Sequence, residues 1–468
     1  MILFQIWATI SGIILLLLMI KTIRFNFAIE SLKDVLIDEE NNRTSLQKNS
    51  QALQKSAKTK NSHSPSSWPK ISFIVPACNE EQTIKAAAES LLDIDYPNLE
   101  IVIVNDRSTD NTGKIADRFA ERDSRLKVLH ITELPEGWLG KVHALDRGIS
   151  MTKSEWILLA DADIHFNSDA IKKAITYCQN KKIDFLTAVP DIKSKSSSLQ
   201  ILIAQLFHQA SLFFSPKRLN DPKQKTCYGQ GAFMLLNRAM YDRSEGMQWL
   251  RMEVIDDTGL AVMMRRAGAR MGAVAGKDEI QLEWYPDVAA YFKGVEKNAF
   301  AFCQYNWLIL FGLGLTNWLF VLGFSLAPVF SGNSLIQGFC AFSLLGYLGA
   351  IYFQMKKLLD LRFWQVCMFP IAVLILPVIF VRAATLSVIN KGIYWRGTFY
   401  SLVELKRNQR MKLANLVFSI DEDPNEEEND KRKAATKYAM EKENPYEEDS
   451  QLFALASYQG STDKLRHC

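Results

Sequence analysis

Trp156-Ile157-Leu158-Leu159-Ala160-Asp161-Ala162-Asp163 is an apolar run of strand length that ends in two carboxylates one residue apart. On an extended chain, residues i and i+2 point the same way. Asp161 and Asp163 are therefore expected to face one spot just beyond a buried strand. Open α/β sheets bind ligands at the carboxyl ends of their strands. Two carboxylates there, with no basic residue beside them in sequence, repel unless a cation or a donor lies between. A hard divalent ion, Mn²⁺ or Mg²⁺, bridging to phosphate oxygens meets that need. Taken alone, the same residues also fit a strand end followed by an Asp-favoured turn.

Working outward, apolar runs of strand length alternate with helical patterns. Residues 71–75 read as a strand broken at Pro76, and residues 80–92 as a helix. Residues 99–104 form the next strand, which runs into Asn105-Asp106-Arg107-Ser108-Thr109-Asp110. A helix over 112–122, a strand over 126–131 and a helix over 141–150 lead to the Trp156 strand. Ser168 is placed to cap a helix over 169–179, and 184–189 is a further strand. A last helix opens at Asp256-Asp257 and stops at Gly268. This alternation predicts an α/β fold, a doubly wound and mainly parallel sheet covered on both faces.

The flanks differ in character. The chain has 468 residues, 48% of them hydrophobic, yet its mean hydropathy is only −0.04, because apolar blocks are segregated to the N-terminus and the last third. Residues 1–24 read as a transmembrane anchor, and Lys21 and Arg24 place its C-terminal end in the cytoplasm. Residues 25–68 read as a polar linker, 69–290 as the α/β domain, 299–403 as transmembrane and interfacial helices, and 404–468 as a charged tail without a packed core. The segments 306–330 and 335–354 are long enough to span a bilayer. So is 364–389, which carries Pro370, Pro377 and Arg382. Four crossings would leave the basic Lys406, Arg407, Arg410 and Lys412 outside, against the positive-inside rule; a re-entrant or interfacial last segment would resolve this. Residues 199–214 are apolar on most faces, suited either to packing on the sheet or to lying against a bilayer. The net charge of +4 and the lack of a basic stripe argue against nucleic acid as a partner. Seven scattered cysteines without a CxxC pair make neither a disulfide framework nor a zinc site.

Four polar clusters thus fall at strand ends or helix starts: Cys78-Asn79-Glu80-Glu81, residues 105–110, Asp161-Ala162-Asp163 and Asp256-Asp257. Lys141 opens a helix just after Gly140, where it can donate to a phosphate. Gly229-Gln230-Gly231 allows close backbone approach, beside an acceptor or in a plain turn. His143 and His165 fit packed or solvent histidines as well as ligands.

In combination these clusters resemble the family 2 glycosyltransferases of the GT-A fold over about residues 68–268. Three segments narrow the resemblance to the membrane-bound hopene-associated and carotenoid-type branch: Gly137-Trp138-Leu139-Gly140-Lys141, residues 294–298, and Trp395-Arg396-Gly397-Thr398-Phe399-Tyr400. The resemblance implies a nucleotide-sugar donor, UDP-linked, and inversion at the anomeric carbon. It gives Glu80 and Asp106 to the uracil and ribose, and Asp161 and Asp163 to a divalent metal at the donor diphosphate. In the family's acidic pair the second residue is the general base, here Asp257, with Asp256 beside it. With the membrane segments, the resemblance implies a single transfer to a lipid acceptor by a multi-pass cell-membrane enzyme whose catalytic domain is cytoplasmic. The QxxRW motif of polysaccharide synthases is missing, Gln304-Tyr305-Asn306-Trp307 lacking its Arg and spacing. A polysaccharide synthase is the alternative enzyme. A catalytically inactive membrane scaffold is the alternative outside enzymes, and loss of one of these acids would favour it.

Overall fold

The computed structural model describes residues 2–36 and 68–412, all within one compact unit; the charged tail beyond residue 412 and most of the polar linker lie outside the described residues. The elements run in the order α1 (Ile2–Ala28), β1 (Glu30–Ser31), β2 (Ile71–Ala77), α2 (Ile84–Leu92), β3 (Leu99–Asp106), α3 (Thr112–Ala120), β4 (Leu126–Ile131), α4 (Gly140–Ser150), β5 (Trp156–Leu159), β6 (Ile164–Phe166), α5 (Ala170–Lys181), β7 (Phe185–Ile192), α6 (Ser197–Ser211), α7 (Pro216–Leu219), β8 (Met234–Asn237), α8 (Arg238–Tyr241), α9 (Asp256–Arg266) and β9 (Met271–Leu282). They continue with α10 (Val288–Phe302), α11 (Trp307–Phe330), α12 (Ser334–Leu358), α13 (Phe363–Cys367), α14 (Phe369–Ile389), the hairpin β10 (Gly392–Trp395) and β11 (Thr398–Ser401), and α15 (Leu402–Asn408).

The main sheet has the order β1-β9-β7-β8-β5-β2-β3-β4, with β6 paired to β9. The block β5-β2-β3-β4 is parallel, β8 runs antiparallel between β5 and β7, and β7 and β9 are parallel. The chain leaves β2 on one side for β3 and β4 and returns to the other side at β5. Such a reversal is the place at the strand ends where doubly wound sheets bind ligands.

Successive residues of each central strand serve opposite faces. Phe73, Val75, Ile101, Ile103 and Leu158 join a core with α2, α3 and α5. Ile74, Val102, Val104, Ile157 and Leu159 join a second core with α4, α6 and α9. The second core continues without a break into Leu15, Phe25, Ile379 and Ala383 of the apolar helices. Helix α6, whose environment the sequence left open, buries Leu199, Ile203, Ala204 and Phe207 in this core.

Three boundaries differ from expectation for local reasons. The helix expected from residue 80 starts at Ile84, because residues 80–83 form a turn in which Thr83 Oγ1 donates to Glu80 Oε2 at 2.7 Å. Ser168 does not cap α5; Asp169 occupies the N-cap position and pairs with Lys173 at 3.0 Å. The residues after the anchor are structured up to Leu36, since α1 runs to Ala28 and Glu30–Ser31 pairs with Val274 and Ala275 of β9.

Helices α1, α12 and α14 are long and apolar enough to cross a membrane. Helix α10 and residues 307–323 of α11 meet at 114° and qualify only together, as a broken span or a re-entrant turn. Arg382, inside α14, pairs with Glu296 of α10.

Helix α4 carries Lys141 and lies against β2 and β3 through Gly148. A Cβ there would run into Ile74 Cγ2 and come within 3.0 Å of Val104 Cγ2. Gly148→Val should therefore overpack the joint, costing about 1–3 kcal/mol; a fall in the thermal unfolding midpoint checks this, and an unchanged midpoint would mean that α4 is not seated so closely.

Candidate active site

Strand β5 stops at Leu159, where Ile74 of β2 is its last partner. Residues 162–163 then turn, so Asp161 and Asp163 are brought together by a turn and not by strand alternation. Burial, then Asp161, then Glu80 push the Asp163 carboxyl up to about 7. A site that makes a carboxylate this reluctant to ionise is short of positive charge.

Part of that charge comes from α4. Lys141 Nζ lies 2.8 Å from Asp161 Oδ1 and 3.1 Å from Asp256 Oδ2. Burial alone would lower its pKa, but Asp161 and Asp256 hold it above the ordinary lysine value, so the ammonium stays charged. Asp256 and Asp257 occupy the first turn of α9, where the helix dipole favours acids. The N-cap is Ile255; neither Asp caps the helix. Asp257 Oδ1 accepts from the Thr258 N–H at 2.6 Å and Oδ2 from the Gly231 N–H at 3.0 Å. Burial, then Asp256, push its carboxyl up to about 6, against the pull of Lys141.

The Gly229-Gln230-Gly231 segment divides its work. A Cβ on Gly229 would strike the Asp257 carbonyl oxygen and lie 3.2 Å from Ala261 Cβ, so Gly229 lets the chain pass the start of α9. Gln230 is fixed by its N–H on Thr187 Oγ1 at 3.0 Å and by the Tyr228 hydroxyl on its Oε1 at 3.1 Å. At Gly231 a Cβ would sit 3.3 Å from Asp161 Oδ2, 3.5 Å from Lys141 Nζ and 3.7 Å from Asp257 Oδ2. Gly231 is thus the floor on which groups from β5, α4 and α9 converge.

Glu80 and Asp106 stand at the neighbouring strand ends. The loops after β2 and β3 are latched by side chains that take each other's backbone donors. The Glu80 N–H donates to Thr112 Oγ1 at 2.7 Å, the Thr109 N–H to Asn79 Oδ1 at 2.8 Å, and the Asn111 N–H to Glu81 Oε2 at 3.0 Å. Asp106 is buried, and both its oxygens accept from Arg107, at 2.7 and 2.9 Å. His143 is buried edge-on against Trp138, and His165 is exposed on β6; neither joins the cluster.

Several groups at the site escaped the sequence reading. Arg396, in the β10–β11 turn, pairs with Glu80. Arg107 Nη1 donates to Thr398 Oγ1 at 3.1 Å, and the Gly140 N–H donates to the Tyr400 hydroxyl at 3.1 Å. Lys297 of α10 lies 3.8 Å over the Trp395 ring. The resemblance had marked residues 294–298 and 395–400 without giving them work. Their signal was a run of Trp, Arg and Gly beside an apolar segment, which has no spacing rule that names a partner.

Residues 72–245 match the family model described as Glycosyl transferase family 2. Residues 72–245 thus form a glycosyl transferase family 2 domain. Among its curated relatives is the poly-beta-1,6-N-acetyl-D-glucosamine synthase of Staphylococcus epidermidis, 34% identical over 131 residues, which are 28% of this chain and 30% of that protein. Another is the beta-monoglucosyldiacylglycerol synthase of Nostoc sp., 35% identical over 119 residues, 25% of each chain. The chain therefore matches less than a third of the length of either relative. Of solved structures, the mannosyltransferase PcManGT from Pyrobaculum calidifontis, in complex with GDP-Man and Mn²⁺, aligns with 80% of this chain and 99% of its own at 17% identity and a TM-score of 0.43.

Gly231→Ala places a methyl group on the floor of this family 2 site. We expect a folded protein whose turnover falls by roughly tenfold or more, since small misplacements of reacting groups are costly. Steady-state kinetics beside a thermal melt checks it; wild-type turnover would remove Gly231 from the site.

Proposed function

We propose that this chain is a multi-pass cell-membrane glycosyltransferase that moves one sugar from a nucleotide-sugar, UDP-linked, to the hydroxyl of a lipid acceptor on the cytoplasmic side. The observation that carries the reading is the convergence of Asp161, Lys141 and Asp257 on Gly231, with Asp163 and Asp256 behind them. The lipid acceptor is supported by the three bilayer-length helices, whose core is shared with one face of the catalytic sheet, and by the similarity to a glucosyldiacylglycerol synthase. The cytoplasmic side rests on Lys21 and Arg24 after the first span.

In this mechanism Asp257 takes the proton of the acceptor hydroxyl as its oxygen bonds to the anomeric carbon. The bond from that carbon to the diphosphate oxygen breaks, and its electron pair leaves with the nucleoside diphosphate. The N–H groups of Gly231 and Thr258 fix the Asp257 carboxylate, and its raised pKa makes it a better base near neutral pH. Lys141 stands where negative charge grows on the leaving group. Glu80 and Asp106 are assigned to the base and ribose.

Among the described residues no three His, Cys, Asp or Glu side chains form a ready metal cage. Asp161 and Asp163 do fit a hard divalent cation: both are oxygen donors, and burial together with the Asp161 and Glu80 carboxylates disfavours the Asp163 charge until a cation offsets it. Bound there, Mn²⁺ or Mg²⁺ would offset the charge of the departing diphosphate.

A polysaccharide synthase is the second reading, favoured by the similarity to the staphylococcal synthase. Gln304-Tyr305-Asn306-Trp307 in place of QxxRW argues against it.

The deciding experiment supplies the purified protein in lipid nanodiscs with labelled nucleotide-sugars and weighs the products. A glycosylated lipid is expected; a long water-soluble polymer would replace this reading with the second. In the same assay EDTA should abolish transfer and Mn²⁺ or Mg²⁺ should restore it, while full activity in strict chelator would remove the metal.

The base assignment has its own test. Asp257→Asn should still bind nucleotide but lose roughly 10²-fold or more in kcat, with Asp256→Asn milder. Since Asp257 must be ionised to accept the proton, kcat/KM should fall as pH drops through about 6. A flat profile from pH 7 to 5, or near-normal turnover in Asp257→Asn, would move the base elsewhere.

A further inference from the structure

The hairpin β10–β11 lies more than 300 residues along the chain from Glu80, yet its polar contacts go to the carboxyl edge of the catalytic sheet. Its tip is a two-residue turn in which Arg396 and Gly397 both have positive φ, 49° and 81°. That geometry matches the twist of two short antiparallel strands and fixes the direction in which the tip side chain leaves the backbone. Arg396 pairs with Glu80, Thr398 accepts from Arg107, and Tyr400 accepts from the first N–H of α4. The three tethers reach three different loops, those after β2 and β3 and the one that leads into α4. The hairpin is therefore registered on the site itself.

The charge at the site explains what such a registration can supply. Glu80, Asp106, Asp161, Asp163, Asp256 and Asp257 are six carboxylates at one sheet edge. Against them stand Lys141, shared by Asp161 and Asp256, and Arg107, committed to Asp106. A nucleoside diphosphate adds more negative charge, and still more as the glycosidic bond breaks. Two cations remain with capacity to spare. The Arg396 side chain is 52% exposed and spends one of its five N–H donors on Glu80. Lys297 has its ammonium against the face of Trp395 and makes no ion pair among the described residues. At longer range Asp256 and Asp161 attract it, while Lys141 and Arg396 repel it.

We propose that Arg396 and Lys297 bind the diphosphate of the nucleotide-sugar, so that the hairpin after the last membrane helix completes the donor site. This rests on reading the site as one for a nucleotide-sugar. The Glu80–Arg396 pair is then the resting arrangement. Arrival of the donor lets the guanidinium turn to phosphate oxygens, whose geometry it matches in two-pronged fashion. Glu80 is freed at the same moment to accept from the base. Trp395 holds the Lys297 ammonium by its ring face, keeping it near the site without neutralising it. A purely structural ion pair between partly exposed groups would be worth little.

The test uses the full chain in lipid nanodiscs with Mn²⁺ present. Titration calorimetry first finds which of UDP, GDP, ADP, CDP and dTDP binds best, and then compares that diphosphate with its monophosphate. In Arg396→Gln and in Lys297→Gln, diphosphate affinity should fall by roughly tenfold or more, as expected for a lost hydrogen bond to a charged group, and monophosphate affinity by clearly less. Arg396→Lys should fall between wild type and Arg396→Gln, which separates loss of charge from loss of the planar fork. Thermal melts confirm that each variant is folded. Wild-type diphosphate affinity in Arg396→Gln and Lys297→Gln would overturn the proposal while leaving the nucleotide-sugar reading standing. Equal losses for monophosphate and diphosphate would overturn it too, because the hairpin would then be holding the nucleoside. If the wild type binds none of the five diphosphates, the nucleotide-sugar reading fails and this proposal with it.

Discussion

The double ion pair of Lys141 with Asp161 and Asp256 is the contact on which the arrangement of this site depends. It joins a strand end, a helix start and a second helix start, each delivered by a different stretch of chain. Removing the ammonium would leave like charges facing one another in a partly buried space, where repulsion is poorly screened. Asp163 and Asp257 already register that pressure, since burial and neighbouring carboxylates raise both. The acids are thus held in a state that favours cations, whether from the protein or from solution. On the proposed reading, that bias suits a site that receives a phosphorylated donor and keeps a carboxylate basic enough to take a proton.

Space is the second constraint, and glycine sets it. At Gly140 a Cβ would collide with the Arg107 guanidinium and sit 2.6 Å from Asp106 Oδ2. At Gly231 it would fill the gap between Asp161, Lys141 and Asp257. In both places side chains from distant loops pack directly on backbone, which lets an N–H group serve as a site donor. The Gly231 N–H on Asp257 and the Gly140 N–H on Tyr400 are those donors. Each aligns a reactive or tethering group without adding a further charge.

Much of this was legible in the sequence wherever a local rule applied. The parallel strands are apolar runs closed by polar clusters, and Asp161, Asp163, Lys141 and Asp257 stand at their ends or at helix starts. Strand β9 was not read. Its Met271–Leu282 run contains Lys277-Asp278-Glu279, which breaks alternation, and its pairing with β7 jumps from Gly276 to Gln281 across one step of the partner. Strand β8 is only four residues long and owes its state to its two neighbours, a tertiary effect that outweighs local propensity. The Asp-x-Asp geometry was anticipated through strand alternation, whereas a turn produces it. Arg396, Tyr400 and Lys297 were illegible as site groups, because nothing in their own segments records a partner far along the chain.

Those late residues also alter how the chain's two characters relate. Catalytic strands and bilayer-length helices share one continuous core, and the apolar helices pack against the catalytic sheet chiefly through α6. The hairpin then adds a polar connection at the sheet's reactive edge, directly after α14. A movement of α14 or α10 would be felt at Glu80 through Arg396 and at the Asp161–Lys141–Asp256 cluster through Lys297. On the proposed reading, the donor half of the site is completed by residues whose backbone belongs to the membrane half. An acceptor that approaches along those helices would meet a site assembled in part by the same helices. Placing donor and acceptor in one geometry is then the work of packing and charge pairing that the chain has already set up on folding.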